Sequence, residues 1–154
     1  MVPLVISNRK GVFNATYFKD PIELEAYLKI QRPGSVDTLI FAFWGWKVEN
    51  WMLNTYRCFG LHTGPLLEGK GRGGSPIDNL QALGVFITTL CAFEMTDVID
   101  GGRVKVAIPI RIDCTKESVI SRINDHLPLI TEYLAAVQPD IPERFNRITL
   151  KELE

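Results

Sequence analysis

The run Thr38-Leu39-Ile40-Phe41-Ala42-Phe43 constrains the fold more than any other stretch of the chain. It is short, β-rich and almost continuously apolar, the pattern of a strand covered on both faces, and such strands belong to parallel sheets whose crossovers are helices. A helix stands upstream: Asp20 is an N-cap and Pro21 suits the first helical position, while Ile22, Leu24, Ala26, Tyr27 and Leu28 form an amphipathic run that stops before Pro33-Gly34. The residues before Asp20 read as irregular. Downstream, Glu49 to Asn54 fits a helical turn or two, and Cys58-Phe59-Gly60-Leu61-His62 a second strand that delivers His62 at its carboxyl end. Ser75-Pro76 opens a helix through Ile77, Leu80 and Leu83 toward Gly84, Phe86 to Phe93 reads as a strand, and Val104 to Ile112 alternates as another. Lys116-Glu117-Ser118 begins a long helix with Val119, Ile120, Ile123, Leu127, Ile130 and Leu134 on one face, ended by Pro139. Strands alternating with helices predict an α/β fold, a single domain with a mostly parallel sheet and flanking helices.

Composition narrows the function classes. At 154 residues, 46% hydrophobic and 23% charged, the chain suits one packed domain and not a disordered segment. A formal charge of −1 supplies no basic field, which disfavours a nucleic-acid partner. Cys58, Cys91 and Cys114 are odd in number, form no CxxC and sit in or beside apolar runs, the usage of reduced thiols in a cytoplasmic protein with no structural metal. No stretch approaches the roughly 18 apolar residues of a membrane span, and the N-terminus has no export signal.

Three features fall at carboxyl ends of expected strands, where open α/β sheets place ligands: Trp44 to Val48, His62 with the loop after it, and Glu94 to Gly102. Taken singly, each has an ordinary reading. A lone histidine is more often structural than catalytic, Asp100-Gly101 is most often a tight turn, and Trp44 and Trp46 suit a core. The segment Gly64 to Pro76 carries glycines at 64, 69, 71, 73 and 74 and prolines at 65 and 76, so it is a loop. It lacks the order GxxxxGK[ST], so it is not a phosphate-cradling P-loop.

Together these features resemble the folate-dependent formyltransferases. The run Phe59-Gly60-Leu61-His62-Thr63-Gly64-Pro65-Leu66-Leu67-Glu68-Gly69-Lys70-Gly71-Arg72-Gly73-Gly74-Ser75-Pro76 is similar to that family's signature loop. There an Asn-x-His strand end leads to a Leu-Pro loop and Gly-Arg-Gly-x-x-Pro. The sugar N-formyltransferases are most similar, since their Gly-Arg-Gly-Gly-Ser-Pro is also followed by Asn-Leu, here Asn79-Leu80. Met95-Thr96-Asp97-Val98-Ile99-Asp100-Gly101-Gly102 is similar to the family's Met-x-x-x-Leu-Asp-x-Gly. Phe41 to Val48 is similar to the strand end beside the family's pterin pocket, and Arg144-Phe145-Asn146-Arg147 to the segment closing its catalytic domain. The resemblance covers Asp20 to the C-terminus and departs from the family in two places. Gly60 stands where the family has a catalytic asparagine, and only 37 residues precede Thr38. It therefore implies one shortened, Rossmann-like formyltransferase domain over residues 1–154, incomplete in its N-terminal half.

The resemblance implies transfer of a formyl group from 10-formyltetrahydrofolate to an amine, an amino sugar or nucleotide-linked amino sugar, with a homodimer left open. It makes His62 and Asp100 the catalytic pair: His62 stabilises the oxyanion or shuttles the proton, and Asp100 holds the imidazole in its useful tautomer and assists deprotonation of the acceptor, roles that can be exchanged or shared. Phe43, Trp44, Gly45, Trp46, Val48, Met95, Asp97 and Val98 are expected around the folate, and Thr63, Gly71, Arg72, Gly73 and Gly74 around the acceptor. The alternative is a catalytically degenerate module that keeps a folate or ligand pocket; Gly60 and the short N-terminus favour it and the retained His62 and Asp100 oppose it.

Overall fold

The computed structural model describes residues 2–63, 76–96 and 103–137. In chain order the elements are β1 (Pro3–Ser7), β2 (Thr16–Tyr17), α1 (Pro21–Lys29), β3 (Thr38–Phe41), α2 (Asn50–Thr55), β4 (Arg57–Thr63), α3 (Pro76–Ala82), β5 (Ile87–Glu94), β6 (Val104–Arg111) and α4 (Lys116–Ala136). The strands form one sheet in the order β2-β1-β3-β4-β5-β6. β1 runs parallel to β2 and to β3, β3 runs parallel to β4, and the β4–β5 and β5–β6 pairs are antiparallel. The carboxyl ends of β1 to β4 therefore lie along one edge.

The start of the chain corrects the sequence reading, because β1 and β2 replace the irregular segment. Five residues led by a proline give too short a pattern to show a period. Pro3 occupies the first strand position, where a missing N–H does least harm, while Leu4, Ile6 and Ser7 are buried. With α1, whose Asp20 carboxylate accepts the Glu23 N–H at 2.9 Å, β1 and β3 complete one β–α–β crossover.

All four residues of β3 are buried, as a strand sandwiched between helices requires. On one face Leu39, Phe41 and Cys58 pack with Leu24 and Leu28 of α1 and Met52 and Leu53 of α2. On the other, Ile40, Phe59, Leu90 and Ile110 pack with Val119, Ile123, Ile130 and Leu134 of α4. The expected strand through Phe43 stops at Phe41. Ala42 still donates to the Ile6 carbonyl at 2.8 Å, but Phe43 turns to φ +56°, a left-handed conformation that a bulky residue adopts only under constraint.

Helix α4 begins on its Thr115 cap, whose hydroxyl accepts the Ser118 N–H at 3.2 Å. It carries Pro128 in its interior, and a proline there has no N–H to give the carbonyl four residues back. That carbonyl, of Asn124, instead accepts from the Asn14 side-chain amide at 2.9 Å, while the Asn14 N–H donates to Asn124 Oδ1 at 3.2 Å. The segment after β1 is thus pinned to α4 by replacing the bond the proline removes. At the far end of β4, Arg57 Nε donates to the buried Glu94 carboxylate at 2.9 Å and its guanidinium stacks on Phe59.

Candidate active site

The strand ends converge on a cleft of about 500 Å³. Asn8 and Arg9 come from the tip of β1, and Ala42, Phe43, Trp44 and Gly45 from the tip of β3. Leu61, His62 and Thr63 end β4, and Ile77, Leu90, Lys116, Ile120 and Ile123 close the back. The first two tips are tied, since the Gly45 N–H donates to Asn8 Oδ1 at 2.8 Å. The left-handed turn at Phe43 redirects the chain just before that bond forms.

His62 lies one residue from the end of β4, with both ring nitrogens shielded from solvent. Across the β4–β5 ladder its partner is Cys91, fully buried, and burial pushes that thiol up from its ordinary value. Gly60, two residues before His62 and on the same face of the strand, pairs with Phe93. A β-carbon at position 60 would fall 2.6 Å from Phe93 Cζ and 2.9 Å from Cε1, with Met95 Cε at 3.1 Å. Phe93 and Met95 thus occupy the space a side chain at 60 would need.

The structure brings together Phe43, Trp44, Gly45, His62 and Thr63 of the expected site. It places others elsewhere. Val48 is 7% exposed in the core beside Met52 and Leu53. Trp46 is 42% exposed and meets Trp44 edge-on at 5.2 Å, outside the cleft wall. Met95 packs against the α1–α2 core, and its N–H donates to the Cys58 carbonyl at 2.8 Å. Gly71, Arg72, Gly73, Gly74, Asp97, Val98 and Asp100 lie outside the described residues, as do Lys70, Ser75, Pro139 and the Arg144–Arg147 tail. The sequence reading missed Asn8 and Arg9, which carry no signal of their own because the strand before them shows no period, and Lys116, Ile120 and Ile123, read only as one helix. Among the described residues no three His, Cys, Asp or Glu side chains gather as metal ligands, and no helix is long and apolar enough to cross a membrane.

No family model matches the sequence, and a search of curated proteins found no match. Solved structures do match. The methionyl-tRNA formyltransferase from Clostridium thermocellum aligns with a TM-score of 0.70 at 22% identity, covering 88% of this chain and 66% of that one. A variant of HypX from Aquifex aeolicus aligns at 0.67 and 16% identity, covering 90% and 28%. Phosphoribosylglycinamide formyltransferase from Streptococcus pneumoniae aligns at 0.57 and 19%, covering 86% and 84%. The chain has the fold that these formyltransferase structures share. It spans just under two thirds of the first of these structures and little more than a quarter of the second.

Proposed function

We propose that the chain transfers a formyl group from 10-formyltetrahydrofolate to the amine of a small-molecule acceptor. The observation that carries this reading is His62, a histidine with shielded ring nitrogens at the carboxyl end of a parallel strand, in the wall of a cleft built by the neighbouring strand tips. In a low-dielectric position an imidazole can donate to the oxyanion that forms as the amine attacks the formyl carbon. It can equally carry the proton from the incoming nitrogen to the departing one. Asp100 is proposed as its partner, to orient the ring and assist deprotonation of the amine. The Trp44 face offers apolar surface for the donor's rings. The Gly45 N–H is committed to Asn8, so any backbone contact to the pterin edge falls to residues after it. The glycine loop resemblance makes an amino sugar or nucleotide-linked amino sugar the first acceptor class to try.

One observation favours the second reading, a ligand-binding module without turnover: Phe93 fills the place of the side-chain donor that the family pattern puts at position 60. The two readings part in one experiment. 10-Formyltetrahydrofolate is added with a panel of amines, following tryptophan fluorescence for binding and tetrahydrofolate release for transfer. The enzyme releases tetrahydrofolate in an amine-dependent way that His62→Ala abolishes with binding intact; the module quenches fluorescence and releases none.

A further inference from the structure

We infer that the acceptor this cleft takes is an amine on an apolar body flanked by an anionic group, an inference that rests on the formyl-transfer reading above and departs from its amino-sugar acceptor. Much of the cleft lining is aliphatic: Ala42, Leu61, Ile77, Leu90, Ile120 and Ile123 reach it from four elements and the β3 tip. None of these side chains can replace the hydrogen bonds a hydroxyl gives up on leaving water, so a polyhydroxylated body is penalised at each group that meets them. The polar lining is Asn8, Arg9, His62, Thr63 and Lys116. The Asn8 Oδ1 is committed to the Gly45 N–H, which leaves its amide nitrogen and the Thr63 hydroxyl for one or two contacts.

Among the described residues the charged lining is one-sided. Arg9 and Lys116 line the cleft, and no carboxylate does so among the described residues. The Lys116 ammonium sits 2.8 Å from Asp78 Oδ2, which counters it. Arg9 is partly buried as a residue and has no ion pair among the described residues. A carboxylate or a phosphorus oxyanion on the acceptor satisfies it with a forked, charge-assisted contact. His62 borders the same space, so a ligand laid along the aliphatic lining with its anion at Arg9 keeps its amine within the walls that hold the imidazole.

Calorimetry with four amines tests the inference. Phenylalanine carries amine, ring and carboxylate; phenylalaninamide drops the anion; glucosamine 6-phosphate keeps an anion and drops the apolar body; the aminophosphonate analogue of phenylalanine tells a phosphorus oxyanion from a carboxylate. Phenylalanine or its phosphonate should bind about tenfold or more tighter than phenylalaninamide and glucosamine 6-phosphate, and Arg9→Gln should remove that advantage over the amide. Glucosamine 6-phosphate binding as tightly as both phenylalanine compounds would overturn the inference. So would an Arg9→Gln protein that keeps full affinity for them, or neither compound binding at millimolar concentration. Adding 10-formyltetrahydrofolate separates the two levels: Arg9-dependent binding with no formylated product defeats the transfer reading and leaves the ligand chemistry standing.

Discussion

The ring of Phe93 lies over Gly60 across the β4–β5 ladder, close enough that any β-carbon at position 60 would overlap it. Gly60→Ala is therefore an overpacking change, not a neutral one. It should cost about 1–3 kcal/mol and lower the melting temperature by about 2–4 °C for each of those kcal/mol. Gly60→Asn alone should destabilise further and add no turnover. Paired with Phe93→Ala, which vacates the space, the amide gains room beside His62, and under the proposed reaction turnover should rise by up to about 10²-fold. Thermal melts of the single and double variants, with formyl-transfer rates, check both halves.

The Asn14 amide substitutes for the N–H that Pro128 lacks, so the two positions should be energetically coupled. Asn14→Ala strands the Asn124 carbonyl and should cost about 1–3 kcal/mol in urea unfolding. In a Pro128→Ala background the helix regains its own donor, and the same Asn14→Ala change should cost clearly less. Equal costs in both backgrounds would show that the carbonyl is not what Asn14 serves.

Asn8→Ala removes the acceptor for the Gly45 N–H and loosens the joint between the β1 and β3 tips. The expected loss is about 0.5–1.5 kcal/mol. Faster hydrogen exchange at the Gly45 amide, with amides inside β4 unchanged, would locate that loss at the cleft.

Asp37 supplies a pH dependence. Its slight burial would raise the carboxyl, but the Val2 N–H and the Thr38 hydroxyl, each donating at 2.8 Å, hold it below its ordinary 3.8. A carboxyl depressed in the folded state stabilises above its unfolded value and loses that contribution as pH falls through the folded one. The stability difference between the wild type and Asp37→Asn should thus be level above about pH 4 and shrink in more acid solution. The group is exposed, so the effect is small. A difference that grows on acidification would reverse the assignment.

How far the sequence disclosed this molecule depended on how much chain each feature occupies. The β3 run was readable because burial on both faces removes any need for alternation, and α1 because Asp20 and Pro21 mark its start in the chemistry of two residues. β1 was hidden: five residues beginning with proline carry no period, and their place in the sheet comes from partners 35 positions away, as in the pairing of Leu4 with Leu39. The cleft was half visible. His62 announced itself by a motif, whereas Arg9 inherited its position from the unread strand, and Ile120 and Ile123 from the packing of α4. Phe93 could not be foreseen at all, since its role exists only through the ladder that sets it opposite Gly60.

The placement of α4 has a consequence for how the chain is made. Ile40 and Phe59, on strands completed by residue 63, are covered on one face by Ile123, Ile130 and Leu134. A growing chain therefore leaves the ribosome with that side of its central parallel strands covered, among the described residues, only by Ile77 and Leu80 of α3 until some seventy further residues have followed. During that interval the exposed aliphatic face is the surface a holdase would recognise. A ribosome stalled after β6 should display a nascent chain that is bound by chaperones and readily cut by protease, and one stalled with α4 fully emerged should display neither property.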